Sequence, residues 1–251
     1  MNLQQIQNMR LQKKTDLITS NVYQEFVDRF NEQVGDLKGY DCPLCKNKGQ
    51  VAVLQDGEDR YKACTCMELR RNHKTQLESL MSQYTLDNYE DKKEWQKSVK
   101  RSAVQYLGEQ KAWYYIGGSV GAGKTHICTA IVGELAKNKN CSYMLWRDES
   151  HRLKAIVNEP EFDQEISKYI YAQVLYIDDF FKGSVTQADI NLAYEIINNR
   201  YNIQLQTIIS SEKLWSEILA IDEAIGSRIG ERAGKYIINL KDKPNHRTEG
   251  M

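Results

Sequence analysis

The chain has 251 residues, and its 34 Lys and Arg are balanced by 34 Asp and Glu. That length suits one ordinary domain, or a core domain with a small appendage. A content of 41% hydrophobic and 27% charged residues excludes a disordered chain, and zero net charge excludes a uniformly basic nucleic-acid coat while leaving room for a local basic groove.

No apolar run is long enough for a membrane-spanning helix, and the polar start MNLQQIQNMRLQKKTDL lacks the apolar run of a signal peptide. A cytoplasmic protein without a membrane partner is therefore expected. Residues 2–34 carry apolar side chains at helical spacing, among them Leu17, Ile18, Val22, Phe26, Val27 and Phe30. The stripe serves either as a packing face or as a partner-binding face.

Residues 40–66 change character. Four of the six cysteines fall here, as Cys42-x2-Cys45 and Cys64-x-Cys66. Between them QVAVL and RYKAC predict two strands joined by a DGED turn. Too few cysteines are present for a disulfide scaffold. Four thiolates from two turns can close a tetrahedral Zn²⁺ site of structural type. Reduced, unliganded cysteines and an iron–sulfur cluster are the alternatives. Cys128 and Cys141 stand apart and read as packing residues.

Helices are predicted over 68–82 and 92–108. From 112 short apolar strands alternate with helices. The strands are 112–116, 142–146, 174–177, 207–210 and 236–240. The helices are 124 to about 137, sequence to about 171, 190–201, 213–219 and 225–232. Such alternation predicts an α/β fold with a parallel sheet.

Between the first of these strands and its helix stand Gly118, Ser119, Val120, Gly121, Ala122, Gly123, Lys124 and Thr125, which match G-x-x-x-x-G-K-[ST] in full. The glycines let successive N–H groups face a phosphate, and the helix start adds its positive end. Lys124 is expected to reach the β- and γ-phosphates of ATP, and the Thr125 hydroxyl to help hold Mg²⁺. The third strand ends in Asp178 and Asp179. In the company of the phosphate loop this reads as a Walker B element: Asp178 for Mg²⁺, directly or through water, and Asp179 for the attacking water. A surface aspartate pair is the plainer alternative.

The segments GSVGAGKTHICTAI, VLYIDDFFKG, TIISSEKLWSEI and EAIGSRIGE resemble the AAA+ domain of DnaC/DnaI-type helicase loaders, particularly phage and prophage members. The CPLCKNKG…CTCM module resembles the same group. The resemblance covers about residues 40–247. It implies a slow, assembly-dependent ATPase with a helical and zinc-bearing helicase-docking region over 1–83 and an AAA+ domain over 84–251. It also implies a replicative DnaB-type helicase and single-stranded DNA as partners, and self-association through the AAA+ domain. His126 joins the nucleotide-binding set, Ser210 or Ser211 supplies the strand-end sensor, and Arg228 reaches the neighbouring subunit's γ-phosphate.

Tyr84 or Tyr89 stands where such proteins cradle adenine, or else packs in the core. Arg247 is a candidate second sensor or part of a basic tail. Asp179 replaces the glutamate of many AAA+ proteins. The few residues after the last strand leave the helical lid largely absent. Phe180, Phe181 and Lys182, or the basic face of Lys97, Lys100 and Arg101, are DNA-contact candidates. An IstB-like transposition ATPase acting on duplex DNA, and an adaptor that binds ATP without useful hydrolysis, are the alternative readings.

Overall fold

A computed structural model describes residues 22–37, 42–56, 58–64 and 66–246, without the side chains of 68–76. The part of the first predicted helix before residue 22 lies outside the described residues. The chain forms two compact units, Met1–Arg70 and Arg71–Met251. The sequence reading places the boundary at 83/84. The difference arises because Leu77, Leu80 and Met81 join the apolar cluster of the second unit.

In the first unit, helix α1 covers 22–32. Strands β1 (Gln50–Gln55) and β2 (Glu58–Ala63) form an antiparallel hairpin, with Gln55 opposite Glu58. Its two-residue loop starts at Asp56 with φ 54°, the left-handed conformation that suits the twist of tight hairpins. Asn31 ties α1 to the hairpin. Its amide donates to the Ala52 carbonyl at 2.9 Å and accepts from the Ala52 N–H at 3.0 Å, as a neighbouring strand would. Phe30 meets Tyr61 edge-on at 4.8 Å.

Helix α2 (Cys66–Gln83) contains the division between the units. In the second unit, α3 (Glu94–Tyr106) precedes β3 (Tyr114–Gly118) and α4 (Lys124–Leu135). Then follow β4 (Cys141–Leu145), α5 (Trp146–Ala155), α6 (Phe162–Ile170) and β5 (Val174–Asp178). The chain continues through α7 (Gln187–Asn202), β6 (Gln206–Ser211), α8 (Trp215–Ile221), α9 (Glu223–Ala233) and β7 (Ile237–Leu240). The helix expected up to 171 is interrupted between α5 and α6. Pro160 lies in that gap; it lacks an N–H and biases the residue before it away from helical geometry.

The five strands are parallel in the order β4-β5-β6-β3-β7. Their side chains alternate between two cores. Tyr114, Ile116, Tyr143, Tyr176 and Ile208 face the α3 and α4 side. Tyr115, Met144, Leu175, Ile177 and Ile209 face α5 to α9. β3, β5 and β6 are buried throughout, as central strands of a sheet covered on both faces must be. Arg200 is fully buried at the base of this core. Its guanidinium donates to the carbonyls of Tyr169, Ile170, Ala172 and Gln206 and to the Thr207 hydroxyl. No helix of the described residues is long and apolar enough to cross a membrane.

Candidate nucleotide site and metal centre

Parallel sheets present their ligand sites at the carboxyl ends of the strands. Here the ends of β3, β6 and β5 lie side by side and bring the predicted elements together. The loop from Gly118 to Gly123 joins β3 to α4. At Gly123, φ is 79°, a left-handed conformation that strains any other residue, while an added Cβ would only touch the Tyr89 ring. At Gly118, an added Cβ would stand 2.4 Å from the Leu240 carbonyl. Glycine is therefore needed at both positions.

Lys124 turns back on its own loop and donates to the carbonyls of Gly118 at 2.8 Å and Ser119 at 2.7 Å. Burial lowers its pKa, against the opposing pull of the Glu212 and Asp179 carboxylates. The Thr125 hydroxyl donates to Asp178 Oδ1 at 3.2 Å. A hydroxyl and a carboxylate placed together are hard oxygen donors of the kind Mg²⁺ takes.

Asp178 is 4% exposed at the end of β5. Besides Thr125, its Oδ1 accepts from Tyr176 at 2.7 Å and from the Ser210 hydroxyl, and its Oδ2 accepts from Tyr143 at 3.2 Å. The sequence reading did not include the two tyrosines. The available signal was Tyr176 two residues before Asp178, hence on the same face of the strand.

The two serines of β6 separate for the same reason. Ser210 faces Asp178, and its Oγ also accepts from the Asp179 N–H at 3.2 Å. Ser211 points to the other side, where it donates to the Phe180 carbonyl at 2.7 Å and accepts from the Lys213 N–H at 3.0 Å. Ser210 is thus the serine at the carboxylate, and Ser211 braces the turn.

Asp179 has left-handed backbone geometry, φ 56°. Its carboxylate pairs with Lys182 at 2.8 Å, and Lys182 also approaches Glu212 at 3.3 Å. The hydrogen bond to Asp179 raises the Lys182 pKa.

His126 follows Thr125 on α4 and connects elsewhere. Its Nε2 lies 3.0 Å from the Thr85 carbonyl and 2.9 Å from Asn88 Oδ1. Its ring meets Tyr84 at 5.0 Å and Tyr89 at 5.2 Å. Tyr89 is 5% exposed and sits in the core beneath the loop, whereas Tyr84 is half-buried.

Of the segment after β7, only Arg247 is a site candidate from sequence, as a second sensor; the backbone before it makes the contacts. The Ser119 N–H donates to the Leu240 carbonyl at 3.0 Å, the Lys243 N–H to Ser119 Oγ at 3.2 Å, and the His246 N–H to the Gly121 carbonyl at 3.2 Å. Residues 240–246 therefore run along the phosphate loop. Arg247 lies outside the described residues.

In the first unit, Cys42, Cys45, Cys64 and Cys66 are all buried, and their sulfurs lie within 4.8 Å of one another. Cys42 and Cys64 are 3.7 Å apart and Cys45 and Cys66 3.6 Å apart, too far for disulfides. Zinc–sulfur bonds of about 2.3 Å in a tetrahedron require sulfur separations of about 3.8 Å, so the set fits that ion. The first turn is shaped by left-handed residues at Lys46, Asn47 and Gly49, and the Gly49 N–H donates to Cys45 Sγ at 3.3 Å. A hydrogen bond with Cys66 helps pull the Cys42 thiol down to about 5, while burial pushes Cys64 up.

The IstB-like ATP binding protein family matches residues 60–235. The chain belongs to this family of AAA+ ATPases. It is 25% identical over 237 residues to the phage-like element PBSX protein XkdC of Bacillus subtilis strain 168, covering 86% of this chain and 89% of that one. It resembles the crystal structure of DnaI with a TM-score of 0.54 and 19% identity, over 65% of this chain and 93% of DnaI. It resembles that of the DnaC helicase loader with a TM-score of 0.52 and 24% identity, over 65% of this chain and 98% of DnaC. These two likenesses show a shared fold.

In this IstB-like ATPase, the DNA-contact candidates Phe180 and Phe181 are packed side chains. They are 0% and 1% exposed, stacked on each other at 4.1 Å with Trp146 edge-on to both. An apolar pair at this turn is drawn into the core beneath α5 rather than outward. Lys97 pairs with Glu94 at 2.7 Å, and Lys100 with Asp91 at 3.1 Å. Arg228 lies on α9. It donates to the Ala224 carbonyl at 2.8 Å, and its guanidinium lies 5.2 Å from the Tyr194 ring centre and 5.6 Å from that of Tyr201. Its partners are on α7 and α9, not on the phosphate loop.

Proposed function

We propose that this ATPase delivers a replicative DnaB-type helicase to single-stranded DNA. The observation that carries the reading is a separate cysteine-centred unit ahead of an AAA+ core. A closed four-thiolate Zn²⁺ centre has no open coordination position, so its use is to shape a surface rather than to react. In this reading the first unit, within the region 1–83 of the sequence reading, grips the helicase and the AAA+ domain, 84–251, responds to ATP. The fold likeness to DnaI and the DnaC loader supports it.

ATP would be held by the loop Gly118–Thr125, with Lys124 on its phosphates. Thr125 and Asp178 would hold Mg²⁺, Asp179 would orient the attacking water, and Ser210 would sense the γ-phosphate. Arg228, released from Tyr194 and Tyr201, would reach the nucleotide of a neighbouring copy. A guanidinium suits that role because its donors match phosphate oxygens in pairs.

The test is co-purification of the intact chain with the host replicative helicase, with and without ATP, followed by mass measurement. A stable, nucleotide-sensitive complex is expected, and Lys124→Ala is expected to abolish loading. The family name supports a second reading, a transposition ATPase on duplex DNA. Failure to bind helicase, together with oligomers on duplex DNA, would select it.

A further inference from the structure

We propose that Tyr143 and Tyr176 are positioning residues for the Mg²⁺-binding carboxylate, clamping Asp178 so that its Oδ2 is presented to the cation or to a water bound to it. The proposal concerns the nucleotide site and is independent of which partner the ATPase serves. It rests on the reading of Asp178 as the metal acid.

The clamp is built by the sheet. Tyr176 precedes Asp178 by two residues on β5, so both side chains leave the same face. Tyr143 is the direct partner of Tyr176 across the β4–β5 ladder, and their rings lie 5.3 Å apart. Both are buried, at 3% and 0% exposed.

A phenylalanine would fill either place in the core as well as tyrosine does. A buried hydroxyl is costly unless it has a partner, and the partner of both phenols is Asp178. A phenol is protonated at neutral pH and an ionised carboxylate only accepts, so both phenols donate.

The donors are distributed unevenly. Among the described residues, Oδ1 receives Thr125, Tyr176 and Ser210, whereas Oδ2 receives Tyr143. Each carboxylate oxygen offers about two lone pairs. Oδ1 is therefore oversubscribed and Oδ2 has capacity to spare. Thr125, at 3.2 Å the longest of the Oδ1 contacts, is the donor most easily given up to a cation. With Tyr176 and Tyr143 on different oxygens, rotation of the carboxylate would break both bonds at once.

The test uses the full chain as wild type, Tyr176→Phe, Tyr143→Phe, and each of these combined with Asp178→Asn. Affinity for a fluorescent ADP is titrated against Mg²⁺, and again in EDTA. Each Tyr→Phe change is expected to raise the half-saturating Mg²⁺ concentration at least about tenfold, the lower end of the loss seen when a group supporting a metal ligand is removed. Affinity in EDTA is expected to stay unchanged, and the tyrosine effect to vanish in the Asp178→Asn background. An unchanged or lowered Mg²⁺ requirement in the tyrosine variants, or an equal loss in EDTA, overturns the clamp. If Asp178→Asn itself leaves the Mg²⁺ requirement unchanged, the metal-acid reading falls instead. Thermal melting checks folding, and Tyr143→Phe carries the same test if Tyr176→Phe fails to fold.

Discussion

The imidazole of His126 donates from Nε2 to the Thr85 carbonyl at 3.0 Å. A carbonyl oxygen only accepts, so Nε2 carries the proton. Asn88 Oδ1, 2.9 Å away, shares it and also accepts from the Thr85 N–H at 2.8 Å. This residue thus fastens the loop carrying Tyr84 and Tyr89 to the first turn of the phosphate-loop helix. Burial lowers the His126 pKa from 6.5. The neutral form is favoured in the folded protein, so its contribution is complete above the unfolded value and is lost as pH falls through the folded one. Thermal stability should therefore decline below about pH 6.5. That decline should be shallower in His126→Gln, measured by melting temperature across pH.

The Asp179 carboxylate is paired with Lys182. Asp179→Asn should keep nucleotide binding and lose turnover. Asparagine tolerates the left-handed backbone at this position, so the loss would report chemistry rather than strain. Lys182→Ala should free the carboxylate and raise basal hydrolysis, measured as steady-state phosphate release.

Removing the cation from Arg200 should be severe. Arg200→Met takes the guanidinium's donors from four buried carbonyls and from the Thr207 hydroxyl, which keeps its own donation to the Leu205 carbonyl. Each orphaned buried group costs about 1–3 kcal/mol, so a loss of at least about 3 kcal/mol is expected from denaturant unfolding.

The four thiols should hold one equivalent of zinc by elemental analysis, and Cys45→Ser should lose it. Chelation should unfold the hairpin unit while leaving nucleotide affinity intact, since metal binding and folding are coupled in sites of this kind.

Much of this was legible in the sequence because it is locally encoded. The phosphate loop, the aspartates at the end of β5 and the succession of strands and helices along the chain follow from turn chemistry and from short apolar runs. Ser210 and Ser211 are equivalent in composition, and only the alternation of β6 separates them. Phe180 and Phe181 follow two carboxylates in an apparent loop, and nothing local says that Trp146 waits to receive them. The run of 240–246 along the phosphate loop depends on β7 lying beside β3, a pairing between distant segments. Tyr143 reaches Asp178 through a cross-strand register that a linear reading does not contain.

The order of the strands in the sheet, β4-β5-β6-β3-β7, has a further consequence. β6 separates the strand feeding the phosphate loop from the strand bearing the acids. Two interstrand spacings of about 4.8 Å put β3 and β5 roughly 10 Å apart. The aperture in which phosphate and cation must meet is therefore gauged by a strand outside both motifs, and a shift or splay of β6 would change its width without altering any residue of either motif.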